Sequence, residues 1–354
     1  MNNNKTSPFE KEVTKAAQRY LNVTSKLKDK TYNPLLCFTS LNLFLWHLKA
    51  FKKNSDPTKE LAKKFENASN FIENTIKDKI CNDSFLENKE VHFYDFEKEV
   101  SSLFSDVWVD MDDEIYFDQS YNFTCERLSK NGIDPEQFFK DKIVIDAGCG
   151  GGKFTTAIAK LGAKKVIGID IGEKGLNFAK DQAKKVNYGR KITYTKGNLL
   201  NIPVDDNNVD MVWSNGVIHH TLNYKKCIQE FSRVTKSGGE LFLYVNGKFG
   251  LFELLQDTIR KSMEQVPRHL FQFFLKTLGV DTGRLYWLMD CCFAPYEYRA
   301  KEDVINMLKD NGYKNIKQLL RGISTDQIEQ ISQGLPYSNI KYGEGQLKFL
   351  CSLN

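Results

Sequence analysis

The residues with the most evident chemistry lie in one run, Ile145-Asp146-Ala147-Gly148-Cys149-Gly150-Gly151-Gly152-Lys153, and in an acid, Asp170, that follows it. Glycines let a backbone turn tightly and approach a ligand, and the start of a helix presents unpaired N–H groups. An acid about twenty residues beyond such a loop is placed to accept hydrogen bonds from ribose hydroxyls. A second pair, His219-His220, adds imidazoles whose ordinary pKa suits taking a proton from an alcohol. A glycine cradle, a ribose acid and a base describe a site for a nucleotide-type cofactor and a second, protic reactant.

The elements that must position these groups can be read around them. The β-branched run 142–146 precedes the glycines, and a helical pattern, 153–162, follows them. Strands are expected at 142–146, 165–170, 191–196, 209–214 and 239–245, with helices at 153–162, 173–186 and 223–235. This alternation predicts an α/β, Rossmann-like doubly wound sheet with its ligands at the carboxyl ends of the strands. The rhythm breaks at 247–300, where 249–263 and 268–278 read as amphipathic, Phe- and Leu-rich helices. It returns with a helix at 301–311 and strands at 315–320 and 346–351. Upstream, 10–27, 35–51 and 58–80 carry apolar residues at helical spacing, and Asp134-Pro135-Glu136-Gln137 is a helix start with Asp134 as cap. The chain is thus divided into a helical accessory region (1–90), an approach segment (91–140) and a main domain (141–354) with a helical lid insert (247–300).

The glycine spacing separates two cofactors. A dinucleotide fingerprint requires G-x-G-x-x-G. Counting from Gly148 puts Lys153 at the last glycine position, and counting from Gly150 puts Thr155 there. Neither register fits. The order Asp-Ala-Gly-Cys-Gly-Gly-Gly instead resembles the first motif of the class I S-adenosylmethionine-dependent methyltransferases. Gly197 to Pro203 resembles that family's segment after the third strand. Val209 to His220 resembles its fourth strand and exit, and Phe231 to Leu241 its following helix, glycine turn and fifth strand. The resemblance runs from about Phe117 onward and is strongest from Ile143 to Val245.

It implies a seven-stranded sheet whose last strand is antiparallel, S-adenosyl-L-methionine as cofactor, and a role for each matching position. Gly148 and Gly150 pass close to the methionine part, and Asp146 orients the loop or meets the ammonium through water. Asp170 holds the ribose, and Asn198 with the N–H of Leu199 faces the adenine. Asn215 lies near the amino-acid end. Tyr121 and Arg127 close over the cofactor, Tyr facing the sulfonium and Arg the carboxylate. His220, and less so His219, is the candidate catalytic base. The implied reaction is methyl transfer to oxygen or nitrogen of a small molecule: a sugar, a lipid-like metabolite or a quinone precursor.

Composition bounds the rest. The 354 residues are 41% apolar and 12% aromatic, enough for a large core, and the net charge of +5 is too diffuse to argue for nucleic acid. The sequence stands Ser214-Asn215-Gly216-Val217 where amino-methylating nucleic-acid enzymes carry Asn-Pro-Pro-Tyr, and it has no acidic cluster suited to a metal. The eight cysteines lack paired metal spacing and read as free thiols, and the N-terminus lacks a signal peptide's apolar core, so a cytoplasmic protein is expected. No run is long and apolar enough to span a bilayer. Arg260, Lys261, Arg268 and His269 leave weak membrane-surface contact open, and homo-oligomerisation stays open as well. A non-catalytic scaffold acting through the helical N-terminal region is the alternative function.

Overall fold

The computed structural model describes residues 11–77, 113–280 and 282–354. The aromatic stretches at 93–96 and 107–109 lie outside the described residues.

A seven-stranded sheet forms the centre, in the order β3-β2-β1-β4-β5-β7-β6. Strand β1 (Ile143–Ala147) is buried along nearly its whole length, as a central parallel strand must be. It pairs in parallel with β2 (Lys165–Asp170) and β4 (Val209–Asn215), and β2 pairs with β3 (Ile192–Lys196). Strand β5 (Thr235–Asn246) follows β4, and β7 (Gln346–Leu353) enters antiparallel between β5 and β6 (Tyr313–Gln318). Trp213 of β4 and Phe242 of β5 stack at 3.7 Å. The expected start of β5 at residue 239 is four residues late. Thr235 already pairs with Val209, and the register shifts between Val209 and Met211. The bulge takes up the Gly238-Gly239 turn, so strand pairing begins before the glycines.

Helices cover both faces. On one side lie Lys153–Lys160 and Pro135–Phe139, the latter capped by Asp134, whose Oδ1 accepts from the N–H groups of Glu136 and Gln137. On the other lie Tyr224–Val234, capped by Asn223, and Lys301–Asp310. Each face has its own apolar core.

A third core is built without the sheet. The N-terminal helices Lys11–Thr24, Asn33–Ala50 and Thr58–Lys77 pack against Leu251–Ser262, Arg268–Thr277 and Thr282–Phe293. Phe44, Phe65, Leu255, Ile259 and Phe271 are fully buried in it. The accessory region and the lid insert therefore share one interior. The helix at 282–293 and two short helices, Gln327–Ser332 and Ser338–Tyr342, are absent from the sequence-based reading. Among the described residues no helix is long and apolar enough to cross a membrane. Arg260 turns inward, its guanidinium 4.6 Å from the centre of the Tyr296 ring.

Candidate active site

The carboxyl ends of β1, β2, β4 and β5 open into one cavity of about 1190 Å³. At one end it is floored by the glycine loop. Gly148, Gly150 and Gly152 all take positive φ, and the N–H groups of Gly148 and Cys149 donate to Ile169 O, tying the loop to β2. A side chain on Gly148 would place its Cβ 2.2 Å from Val217, so this position is closed to any other residue. From outside, Tyr116 donates its hydroxyl to Gly151 O at 2.8 Å and clamps the loop.

Asp146 stands beneath the loop, buried, accepting from the Thr155 hydroxyl at 2.6 Å. Burial, with a contribution from the nearby Asp170 charge, raises its pKa to about 7. Asp170 ends β2 and accepts from Gly150 N and Gly172 N at 2.9 and 2.8 Å. Those two bonds oppose the upward push of burial on its carboxyl. They fix the carboxylate in the cavity wall, where each oxygen keeps a second lone pair for a ligand. Leu199 and Leu200 line the wall beyond. Asn198 is there too, and its Oδ1 accepts from Leu200 N at 2.9 Å, closing a local turn. Asn215 Oδ1 is buried at the exit of β4 without a partner among the described residues. An orphaned buried acceptor beside a cavity marks a place where a donor belongs.

Two expected closing residues sit differently from the sequence reading. In the helix Ser120–Ser129, Phe123 and Arg127 are four residues apart and face the cavity with Gln119. Tyr121 and Cys125 share the opposite face and line a separate surface cleft. Tyr121 therefore does not close over the site, and its ring takes the Lys160 ammonium at 4.2 Å instead. Arg127 does reach the wall, yet it forms a bidentate pair with Asp326, at 2.9 and 2.8 Å, that also takes Lys348. Despite its burial, Asp326 is held by these cations to a pKa of about 2. The cation that the sequence reading passed over is Lys153, at the first turn of the helix after the glycines. Burial and the neighbouring Arg127 lower its pKa to about 8, and its ammonium lies 5.4 and 5.5 Å from the rings of Phe154 and Tyr286.

The opposite end of the cavity is aromatic. His219 and His220 follow β4 on a short 3-10 turn, both buried. His219 stacks on Tyr296 at 4.9 Å. His220 Nδ1 is 2.7 Å from Pro295 O, and its Nε2 is 3.5 Å from Asp290 Oδ1. Tyr296 donates its hydroxyl to Asp290 Oδ2 at 2.5 Å. Asp290 and Tyr296 belong to the insert, as do Phe252, Tyr286 and Trp287, which extend the wall. The end of the helix Asn33–Ala50 completes it with His47 and, just past the helix, Phe51. His47 packs at 4.6 Å on Phe51 and 4.9 Å on Phe252, and burial lowers its pKa to about 4, so it stays neutral. Sequence reading found the two histidines but not Asp290, Tyr286, Tyr296 or His47, which lie far along the chain from them. Only Phe123 carried a local signal, its helical spacing from Arg127.

Residues 145–243 match a family model described as a methyltransferase domain. A ubiquinone biosynthesis O-methyltransferase of Colwellia psychrerythraea is 38% identical over 119 residues, 32% of this chain and 46% of the relative. The 27-O-demethylrifamycin SV methyltransferase of Amycolatopsis mediterranei is 30% identical over 39% of this chain and 53% of its own. A demethylmenaquinone methyltransferase of Lactobacillus johnsonii is 26% identical over 62% and 86%. The matches thus span only about half the length of the first two of these relatives. Among solved structures, a geranyl diphosphate C-methyltransferase from Streptomyces coelicolor is similar over 62% of this chain and 76% of its own, at 14% identity and a TM-score of 0.39.

Proposed function

We propose, for a chain that carries a class I S-adenosylmethionine-dependent methyltransferase domain at residues 145–243, that it transfers the cofactor's methyl group to an oxygen of a small aromatic molecule of the quinone-precursor kind, in the cytoplasm. The observation that carries the reading is the single cavity running from the glycine loop and Asp170 to His220. Its volume exceeds the ~300–1,000 Å³ of ordinary one-ligand sites, which leaves room for a cofactor and an acceptor end to end.

The residues present fit S-adenosylmethionine. Asp170 is placed for the ribose hydroxyls, and Leu199 for the adenine. Asn215, with its unpartnered Oδ1, suits an ammonium donor. Asp146 under the loop adds a group that ionises when a cation comes near, and Lys153 is the nearest candidate for the carboxylate. Bound there, the cofactor supplies an electrophilic methyl on a sulfonium. The chain's own residues then have three tasks: to hold the acceptor in line, to exclude water and to take a proton. Phe252, Tyr286, Trp287 and Tyr296 form a wall suited to a planar ring, and the lid and N-terminal helices close the chamber. Relatives that are a ubiquinone biosynthesis O-methyltransferase, a demethylmenaquinone methyltransferase and a tocopherol O-methyltransferase support an aromatic acceptor.

The test is calorimetric titration with S-adenosylmethionine and S-adenosylhomocysteine, with NADH as comparator, on wild type and Asp170→Ala. Micromolar binding of both adenosyl ligands, lost in the variant, is the expected result. A screen with methyl-labelled cofactor against catechol, 3,4-dihydroxybenzoate, a simple alcohol and a simple amine should then label the phenols. Folded protein that binds neither adenosyl ligand would leave the scaffold function standing.

A further inference from the structure

Lys348 and Lys341 are both buried, 1% and 4% exposed. A buried cation normally has an anion beside it. Lys348 has Asp326, whose Oδ2 accepts from its Nζ at 2.5 Å. Lys341 has no carboxylate within ion-pair distance among the described residues. Its Nζ donates instead to two neutral acceptors, Lys53 O at 2.8 Å and Pro336 O at 3.0 Å. Asp56 acts on it only from farther off, and that carboxylate is engaged by Thr58. An ammonium carries three N–H donors, so one is left over, and Lys341 lines the cavity. Ser338 lines it too, three residues earlier in the short helix Ser338–Tyr342. It is 5% exposed, and its hydroxyl makes no hydrogen bond among the described residues. Residues three apart on a helix are neighbours on its surface. A buried ammonium and a buried hydroxyl, both with donor capacity to spare, thus stand together at the cavity wall.

We propose that Lys341 and Ser338 form a subsite for an acidic group, a carboxylate or a phosphate, carried by the methyl acceptor. The proposal rests on the methyl-transfer reading above. The charges along the cavity favour such a group. Asp326 is taken by Arg127 and Lys348, and Asp170 stands at the cofactor end. Of the other charged side chains along the wall, Asp290 is acidic, whereas Lys49, Lys52, Lys153, Arg284 and Lys341 are basic. Rings connect the subsite to the reacting end. Tyr342, next to Lys341, is 5.7 Å from Phe51, Phe51 is 4.6 Å from His47, and His47 is 6.1 Å from Trp287. Trp287 lies one helical turn before Asp290, the neighbour of His220. Several rings separate the two ends, so the acid is carried on an apolar chain and not on the ring that is methylated. Lys53, Pro336, Ser338 and Lys341 all lie outside the family match, so the segments peculiar to this chain select the acceptor.

The experiment titrates the S-adenosylhomocysteine complex with phenylacetate, 6-phenylhexanoate and 10-phenyldecanoate, each beside its neutral amide. A further arm sets 6-phenylhexyl phosphate beside 6-phenylhexanol, and the stronger preference tells carboxylate from phosphate. At one chain length or more, the acid should bind about tenfold or more tighter than its neutral partner, as a charge-assisted hydrogen bond predicts. In Lys341→Met the acid should fall to the level of the neutral ligand, while the neutral ligand and S-adenosylhomocysteine stay within about twofold of wild type. Lys341→Arg should keep most of the preference, and Ser338→Ala should lose a smaller part of it. If Lys341→Met does not fold, Lys341→Gln takes its place, since its amide can still donate to a carbonyl but bears no charge. Equal binding of acid and neutral partner at every length overturns the proposal. So does binding of neither, or a preference that survives unchanged without the Lys341 charge. Wild type that binds no S-adenosylhomocysteine overturns the methyl-transfer reading itself, and the same titrations on the free protein then judge the subsite alone.

Discussion

At the residue scale, Asp146 and Lys153 make the sharpest statements because burial has moved both toward neutral pH. Asp146 has a folded pKa of about 7, against about 3.9 for an ordinary aspartate. The folded chain therefore binds an extra proton between these values, and the contribution of this group to stability falls as pH rises from about 4 to 7. A cation lodged nearby would draw the carboxyl back to its ionised form. S-adenosylhomocysteine binding near pH 7 should thus release protons, seen as a binding enthalpy that depends on the buffer. In Asp146→Asn that dependence should vanish, and thermal stability at pH 8 should equal or exceed wild type. Lys153→Met is expected to remove one charge-assisted bond of about 1.5–3 kcal/mol. This would weaken S-adenosylhomocysteine roughly ten- to a hundredfold and leave 5′-methylthioadenosine, which has no carboxylate, unchanged. Equal losses for both ligands would return the carboxylate to Arg127. These two residues mark what was legible. Asp146, Asp170 and the glycines announced themselves because one local motif holds them. Lys153 was visible only as the residue that spoiled a dinucleotide pattern, and one of the rings beside its ammonium, Tyr286, lies far along the chain.

At the element scale, the loop between β1 and its helix is over-determined, and that can be measured. Gly148 combines a φ of +77° with a neighbour, Val217, that a Cβ would strike. Gly148→Ala should cost stability through both terms, the backbone one being about 1–2 kcal/mol. Val217→Ala should remove the two nearest contacts, at 2.2 and 2.7 Å, while leaving its own Cβ at 2.9 Å and the strain, so the double variant should recover part of the lost Tm and not all. Full recovery would mean that the left-handed conformation carries no cost here. Element order, and most element limits to within two or three residues, could be read in advance, because alternating β-branched runs and amphipathic helices carry their own periodicity. The misses have physical causes. The helix at 282–293 is apolar on several faces because it is packed between other helices, so no stripe betrays it. The early start of β5 depends on pairing across a bulge, which only β4 can dictate.

At the scale of the whole molecule, the N-terminal helices and the insert stand or fall together. They share one core, and the end of the helix Asn33–Ala50 supplies His47 to the chamber. Without residues 11–77, Leu251, Leu255 and Ile259 lose their cover, at roughly 1.5–3 kcal/mol for each such side chain. A chain shortened in this way should be cut rapidly by protease within 250–295 and slowly within 143–246. Uniform resistance would show that the insert folds against the sheet alone. This long-range partnership was invisible in the sequence, since amphipathic stripes state that a face is buried but not against what.

The sheet also imposes an order of assembly. Among the described residues strand β6 has a single neighbour, β7, and β7 lies between β5 and β6. Until 346–353 are in place, the edge of β5 is an open template, β6 has nothing to pair with, and Lys348 cannot reach Asp326. Completion thus waits on a contact between segments about a hundred residues apart, the kind of slow non-local closure that sets folding rates. During that wait an emerging chain presents a hydrophobic edge, Leu241-Phe242-Leu243, to its neighbours on the same message. Yield on expression should therefore respond more to chaperone supply and synthesis temperature than to the stability of the finished protein.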